Sequence, residues 1–221
     1  MKIVITNSNP IHKQLEERGK QLFDATIINS KQELSFESLH EIKPDFVFFL
    51  HWSHLIPKPI FENFNCIVFH MTDLPYGRGG SPLQNLIVRG HSETMISALK
   101  VDEGIDTGPI LLKRKLFLFG TAEEIFLRAG NTMLQMIDEI CVSNPQPIKQ
   151  EGEVTLFTRR TPAESNIDKL TDIDAVYDYI RMLDGEGYPK AFIQTQHLRF
   201  EFTRASLKAN GIIAEVKITK K

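Results

Sequence analysis

Apolar positions in this chain fall in short unbroken runs, and the stretches between them carry apolar residues at helical spacing. Lys2 to Thr6 is a β-branched run entering a turn at Asn7-Ser8-Asn9-Pro10, and Pro10 suits the first turn of a helix carrying Leu15, Gly19, Leu22 and Phe23. Ala25 to Asn29 reads as a second strand and Gln32 to Ile42 as a helix. Phe46-Val47-Phe48-Phe49-Leu50 is apolar without alternation, as a parallel strand covered on both faces should be. Cys66 to Phe69 repeats that pattern and delivers His70. Strands alternating with helices predict an α/β fold built on a parallel sheet.

Further along, Ser81 is expected to cap a helix that opens on Pro82 and runs to Arg89. Thr94 to Val101 and Ile110 to Leu118 continue the sheet. Thr121-Ala122-Glu123-Glu124 is a capping box, followed at helical spacing by Ile125, Phe126, Ala129, Met133, Met136, Ile137 and Ile140, which makes the methionines core residues. The chain becomes extended from Asn144 to Pro147, the one candidate subdomain boundary, and Phe157 to Pro162 makes a basic turn. Thr171 or Asp172 is expected to cap a helix through Leu183, and Ile193–Phe202 with Ile212–Ile218 reads as a terminal β-hairpin around Asn210-Gly211.

The formal charge of −2 over 221 residues gives no global basic field, so nucleic-acid binding would need a local patch. The lysines of the Lys217 to Lys221 tail have no aromatic interleaving and read as a solvated end. Cys66 and Cys141 stand far apart without a CxxC or a His-rich neighbour, so neither a metal site nor a disulfide framework is expected. No apolar run approaches the length of a membrane span, and the cytoplasm is the default compartment, with no membrane partner.

Two stretches carry candidate chemistry. The first runs from His70 through a Pro/Gly-rich loop, Met71-Thr72-Asp73-Leu74-Pro75-Tyr76-Gly77-Arg78-Gly79-Gly80; the second is Asp102-Glu103-Gly104-Ile105-Asp106-Thr107-Gly108. An imidazole at a strand end takes up protons near neutrality, and Asp106 would orient and charge-stabilise it if the two turns meet. Gly104 and Gly108 would let the backbone approach a flat ligand. His51-Trp52-Ser53-His54-Leu55-Ile56-Pro57 leaves a strand at its carboxyl end, where open α/β sheets place ligands, and is a candidate wall. Taken singly, each of these histidines reads first as a satisfied structural residue.

The ordered string H-x-[ST]-x-L-P-x-x-R-G, followed by D-x-G-x-D-T-G, resembles the formyltransferases that use N10-formyltetrahydrofolate, the methionyl-tRNA and sugar-nucleotide branches among them. The resemblance runs from Pro44 to about Ile140 and resumes over Phe157 to Phe192. It implies a Rossmann-like, mostly parallel sheet with helices on both faces and a C-terminal β-hairpin extension. The chain then reads as a single catalytic domain over 1–221, its core about 1–192 and its extension 193–221, without a C-terminal oligonucleotide-binding barrel.

The resemblance further implies N10-formyltetrahydrofolate as formyl donor, His70 as general base and Asp106 as its partner, and no metal. It implies a pterin lying against Trp52, His54, Leu55 and Ile56 on one side and Asp102, Glu103, Gly104 and Ile105 on the other. Thr72, Arg78, Gly79, Asn85, Arg159, Arg160 and Arg181 are the corresponding acceptor contacts. One departure stands out. The family carries Asn two residues before the histidine, where its amide holds the developing oxyanion, and here that position is Val68. Protonated His70, a backbone N–H, Asn85, Asn65 or His51 are the candidate replacements.

Because the expected lack of a barrel disfavours tRNA, the acceptor is read as a nucleotide-linked amino sugar, such as a UDP-4-amino-4,6-dideoxy sugar of a pseudaminic acid pathway. The partners are then a small-molecule sugar nucleotide and no nucleic acid, and family analogy implies a homodimer. The alternatives are methionyl-tRNA formyltransferase-like activity on another amine, and a non-catalytic folate or nucleotide binder on the same fold.

Overall fold

The computed structural model describes residues 1–8 and 13–221; the turn at Asn9 and the helix start at Pro10 lie outside the described residues. A six-stranded sheet forms the centre, in the order β2 (Thr26–Ile28), β1 (Ile3–Asn7), β3 (Phe46–His51), β4 (Cys66–His70), β6 (Glu93–Lys100) and β7 (Ile110–Phe117). The pairings β1–β2, β1–β3 and β3–β4 are parallel, and β6 and β7 add antiparallel at one edge. The fold is α/β with a mostly parallel sheet and C-terminal antiparallel strands.

The unbroken apolar run of β3 serves two cores at once. Phe46, Phe48 and Leu50 enter one cluster with Phe69, Leu83, Leu86 and the apolar face of α5 (Ala122–Ser143), while Val47 and Phe49 enter another with Leu39 and Ile60. Val47, Phe48 and Phe49 are fully buried, each worth about 1.5–3 kcal/mol of transfer free energy. Helices α1 (Lys13–Phe23), α4 (Pro82–Val88) and α6 (Ile173–Arg181) supply residues to the first cluster, and α2 (Phe36–Ile42) and α3 (Lys58–Asn63) to the second. In α5, Thr121 Oγ1 accepts from the Glu124 N–H and Glu124 returns the bond to the Thr121 N–H, and all seven apolar positions expected to face the core are buried.

The structure departs from four expectations. Helix α2 starts at Phe36 instead of Gln32, because Ser35 and Ser38 form a reciprocal capping box there. Ser81 does not cap α4 through its side chain: its backbone is left-handed, and its hydroxyl accepts the Arg160 N–H. Asp172 caps α6, which ends at Arg181. The expected strand Ile193–Phe202 is split by a turn at Thr195, whose N–H and hydroxyl both bond to Leu198. The result is a three-stranded antiparallel sheet of β9 (Ala191–Gln194), β10 (Leu198–Lys208) and β11 (Gly211–Lys220). A two-residue pair, β5 (Arg78–Gly79) with β8 (Leu156–Phe157), ties the loop after β4 to the segment after α5.

Both cysteines are free, Cys66 buried and Cys141 half-buried. Burial pushes the Cys66 thiol up to about 12 and the Cys141 thiol up to about 11, with Asp138 and Asp45 adding to the effect at Cys141. A thiol that keeps its proton longer when folded leaves stability unchanged below its ordinary value of 9.0, and stability falls as pH rises above it, because the unfolded chain ionises first. At about pH 8, iodoacetamide is expected to leave both thiols unlabelled over a period that labels both in denaturant, as counted by mass. Among the described residues no helix is long and apolar enough to cross a membrane.

Candidate active site

Strand alternation decides what β4 offers. Ile67 and Phe69 enter the first core, so Val68 and His70 share the opposite face and border one large cavity of about 1110 Å³. The loop after His70 folds back over it, and His70 Nε2 lies 2.8 Å from the Gly77 carbonyl oxygen. A carbonyl only accepts, so Nε2 carries the proton and Nδ1 is left as the basic nitrogen. Nδ1 lies 3.4 Å from Asp106 Oδ2. The same carboxylate oxygen accepts the Gly79 N–H at 2.9 Å, so the two Gly-rich turns meet at Asp106. Both side chains are largely buried, at 8% and 14% exposure, which shields the pair from screening.

The glycines make this approach possible. Gly79 has φ 109°, and a Cβ there would lie 2.4 Å from the Phe157 carbonyl oxygen across the β5–β8 pair. Gly108 is tighter still, its missing Cβ falling 1.8 Å from the Lys100 carbonyl oxygen. Asp102 closes the second turn by accepting from the Gly104 N–H at 3.1 Å and the Thr107 hydroxyl at 2.5 Å.

Trp52, Ile56, Phe61, Val68 and Val101 pack together on one apolar wall of the cavity, with Leu55 and Ile105 exposed. Lys58 and Glu103 join the α3 wall to the second turn by a hydrogen-bonded ion pair, with Glu62 3.5 Å from Lys58. Glu103 holds the Lys58 ammonium above its ordinary range, and Lys58 holds the Glu103 carboxyl below its own. Both side chains are exposed, so the pair contributes little to stability.

A polar portion of the lining carries Ser81, Arg159, Arg160, Thr161 and Tyr188. Burial pushes the Tyr188 phenol up to about 12 against the opposing influences of Gln84 and Arg159. The Arg160 guanidinium donates to the Glu164 carbonyl oxygen and lies 5.2 Å from the Tyr179 ring centroid.

The structure brings together His70, Asp106, Trp52, His54, Leu55, Ile56, Asp102, Glu103, Gly104, Ile105, Gly79, Arg159 and Arg160, all at this cavity. Four expected contacts, Arg181, Asn85, Thr72 and Arg78, do not line it, and the hydrogen bonds they make run to the protein itself. Arg181 is buried, donating to the Leu118 and Gly120 carbonyls and pairing with Asp178. Asn85 spends its amide N–H groups on the Gly80, Ser81 and Thr158 carbonyls and its oxygen on Arg89, which also removes it as an oxyanion donor. Thr72 is fully buried with its hydroxyl 3.4 Å from the Gly77 carbonyl oxygen, and Arg78 donates to Gln150. Trp52 Nε1 is buried with no hydrogen-bond partner among the described residues. Gln150, Thr161 and Tyr188 were not among the expected site residues; Thr161 lies in the basic turn Phe157 to Pro162 and Tyr188 in the stretch to Phe192 over which the resemblance resumes, whereas Gln150 lies in no motif.

Residues 4–125 match the family model described as formyl transferase, and residues 162–219 the one described as methionyl-tRNA formyltransferase, C-terminal domain. A methionyl-tRNA formyltransferase of Clostridium botulinum is 26% identical over 208 residues, covering 90% of this chain and 66% of that protein. One of Kosmotoga olearia is 27% identical over 80% of this chain, which spans 59% of its length. The solved structure of a methionyl-tRNA formyltransferase from Clostridium thermocellum is 53% identical, covers both chains completely and superposes with a TM-score of 0.97.

A 4-N formyltransferase from Francisella tularensis shares the fold, with a TM-score of 0.65, at only 18% identity over 88% of this chain and 93% of its own. These findings overturn the sugar-nucleotide acceptor and the expected exclusion of nucleic acid. The C-terminal region is not the bare extension expected from sequence, since residues 162–219 match the model of a methionyl-tRNA formyltransferase C-terminal domain. With the formyl transferase model matched from β1 into α5, over the turns that build the His70–Asp106 pair, the chain belongs to the formyltransferase family.

Proposed function

We propose that this chain transfers a formyl group from N10-formyltetrahydrofolate to the amino group of methionyl-tRNA, and that it does so in the cytoplasm. The observation that carries the acceptor is the 53% identity over the full length of the Clostridium thermocellum methionyl-tRNA formyltransferase. The His70–Asp106 pair at the cavity carries the chemistry. The apolar wall with its flanking main-chain turn fits a flat heterocycle, and the arginines beside Ser81 and Thr161 fit a phosphate-bearing acceptor. The domain reading that accompanies this is one catalytic unit over 1–221.

N10-formyltetrahydrofolate, when bound, supplies an electrophilic formyl carbon. His70 Nδ1 takes the proton released as the acceptor nitrogen attacks, since Nε2 is already committed to Gly77. The Gly77 carbonyl fixes the ring, and Asp106 Oδ2, 3.4 Å from Nδ1, stabilises the imidazolium once Nδ1 has taken the proton. Val68 brings no donor to the oxyanion, so the positive charge gained by His70 carries that role. His70 then returns its proton to the departing folate nitrogen, and formamide results.

The test is formylation of methionyl-tRNA by the purified protein with N10-formyltetrahydrofolate. Tight folate binding without turnover would support a non-catalytic binder instead.

A further inference from the structure

Gln150 lies in the segment between α5 and β8, outside every motif of the sequence and 44 residues from Asp106. Its Nε2 donates to the Asp106 carbonyl oxygen at 2.8 Å and to the Gly108 carbonyl oxygen at 2.8 Å. Its Oε1 accepts twice from Arg78, from Nε at 3.1 Å and from Nη2 at 2.8 Å. The orientation of the amide is forced, because a guanidinium can only donate and backbone carbonyls can only accept. One side chain therefore spans both Gly-rich turns, fixed by Arg78 on the first and gripping the second on either side of Thr107.

What it grips is a backbone that would not choose this shape. Asp106 has φ 55°, the left-handed region that a β-carbon disfavours. Its carboxylate must nevertheless hold the Gly79 N–H at 2.9 Å and face His70 at 3.4 Å. Hydrogen bonds to the carbonyls of residues 106 and 108 fix the 106–107 and 108–109 peptide planes, and so hold the backbone from which the Asp106 carboxylate points. We propose that Gln150, oriented by Arg78, is the positioning residue of this active site, acting on the reaction through Asp106 and His70 without touching either substrate. The inference rests on the formyl-transfer reading for its kinetic consequence but not for its structural one.

Gln150→Glu tests it. Glutamate keeps the length and gives Arg78 a carboxylate partner, yet it lacks the N–H donors and sets its own oxygens against two carbonyls. The expected result is a fall in kcat of about 10²-fold, the scale of a misplacement of about 1 Å, with KM for both substrates within about twofold. Exchange of the Gly79 amide, which the Asp106 carboxylate protects, should quicken about tenfold while the amides of β3 are unchanged. Arg78→Met, which frees the amide to turn over, should give a similar kcat loss, and the double variant should be no worse than either single one.

Unchanged kcat with unchanged Gly79 exchange overturns the proposal. A raised KM with normal kcat assigns these residues to substrate binding, and faster exchange in β3 assigns them to general stability; either outcome also overturns it. If the unsubstituted protein transfers no formyl group, the functional reading fails, and Gly79 exchange still decides whether Gln150 holds Asp106.

Discussion

His70→Asn is expected to lower kcat for formyl transfer by about 10³-fold, within the span of a lost general base, and to leave donor binding within about twofold. The shorter asparagine amide overlays Nδ1 and does not reach the Gly77 carbonyl that receives His70 Nε2, so His70→Gln, whose amide does reach it, is the paired variant that keeps the anchor of the loop after β4 and should lose as much kcat. What vanishes is Nδ1, the only ring nitrogen not committed to a backbone carbonyl, and with it the charge that would stand in for the side-chain donor absent at Val68. Asp106→Asn should cost less, about 10²-fold, because the base survives without its carboxylate partner. Steady-state kinetics of both variants, paired with tetrahydrofolate titration, check the order of the two losses.

Gly108→Ala is expected to be the most damaging substitution of a single methyl in this molecule. The new Cβ would lie 1.8 Å from the Lys100 carbonyl oxygen and 2.9 Å from its carbon. That carbonyl cannot step aside cheaply: Lys100 sits in β6, opposite Ile67, with its N–H bonded to the Pro109 carbonyl. Either the turn lifts away from β6 or the strand end distorts, at about 3 kcal/mol, equivalent to about 6–12 °C in Tm for a chain of this size. Lifting the turn carries Asp106 away from His70 and Gly79, so transfer should be lost along with stability. Gly90→Ala is the contrast: it also has positive φ but nothing within 4 Å, and should cost only about 1 kcal/mol of backbone strain. Thermal melts of the two variants check the difference.

The elements most legible in the sequence were those that one physical signal specified fully. The run Phe46–Leu50 could only be a strand covered twice, and the capping box at Thr121 fixed the start of α5. The His70–Asp106 pair was legible because glycines and prolines on both sides announced backbone turns rather than packed surfaces. Partners were not legible. Arg78, Asn85, Thr72 and Arg181 have the residue types of ligand contacts, but a type does not say that the guanidinium of Arg181 already satisfies two carbonyls or that the amide of Asn85 satisfies three. Gln150 was invisible for the converse reason, since its meaning lies in atoms far along the chain. The acceptor was not legible either, because the motifs around His70 and Asp106 are shared by the tRNA and sugar-nucleotide branches, and what separates them here is the match of residues 162–219.

The proposed transfer of a formyl group onto methionyl-tRNA at the His70–Asp106 cavity is checked by following label from the formyl group of N10-formyltetrahydrofolate in the presence of this protein and methionyl-tRNA. Label is expected on the methionyl amine, at a rate that falls about 10³-fold in His70→Asn. Label that stays on the folate or appears only as free formate, or transfer that is indifferent to His70, would contradict it.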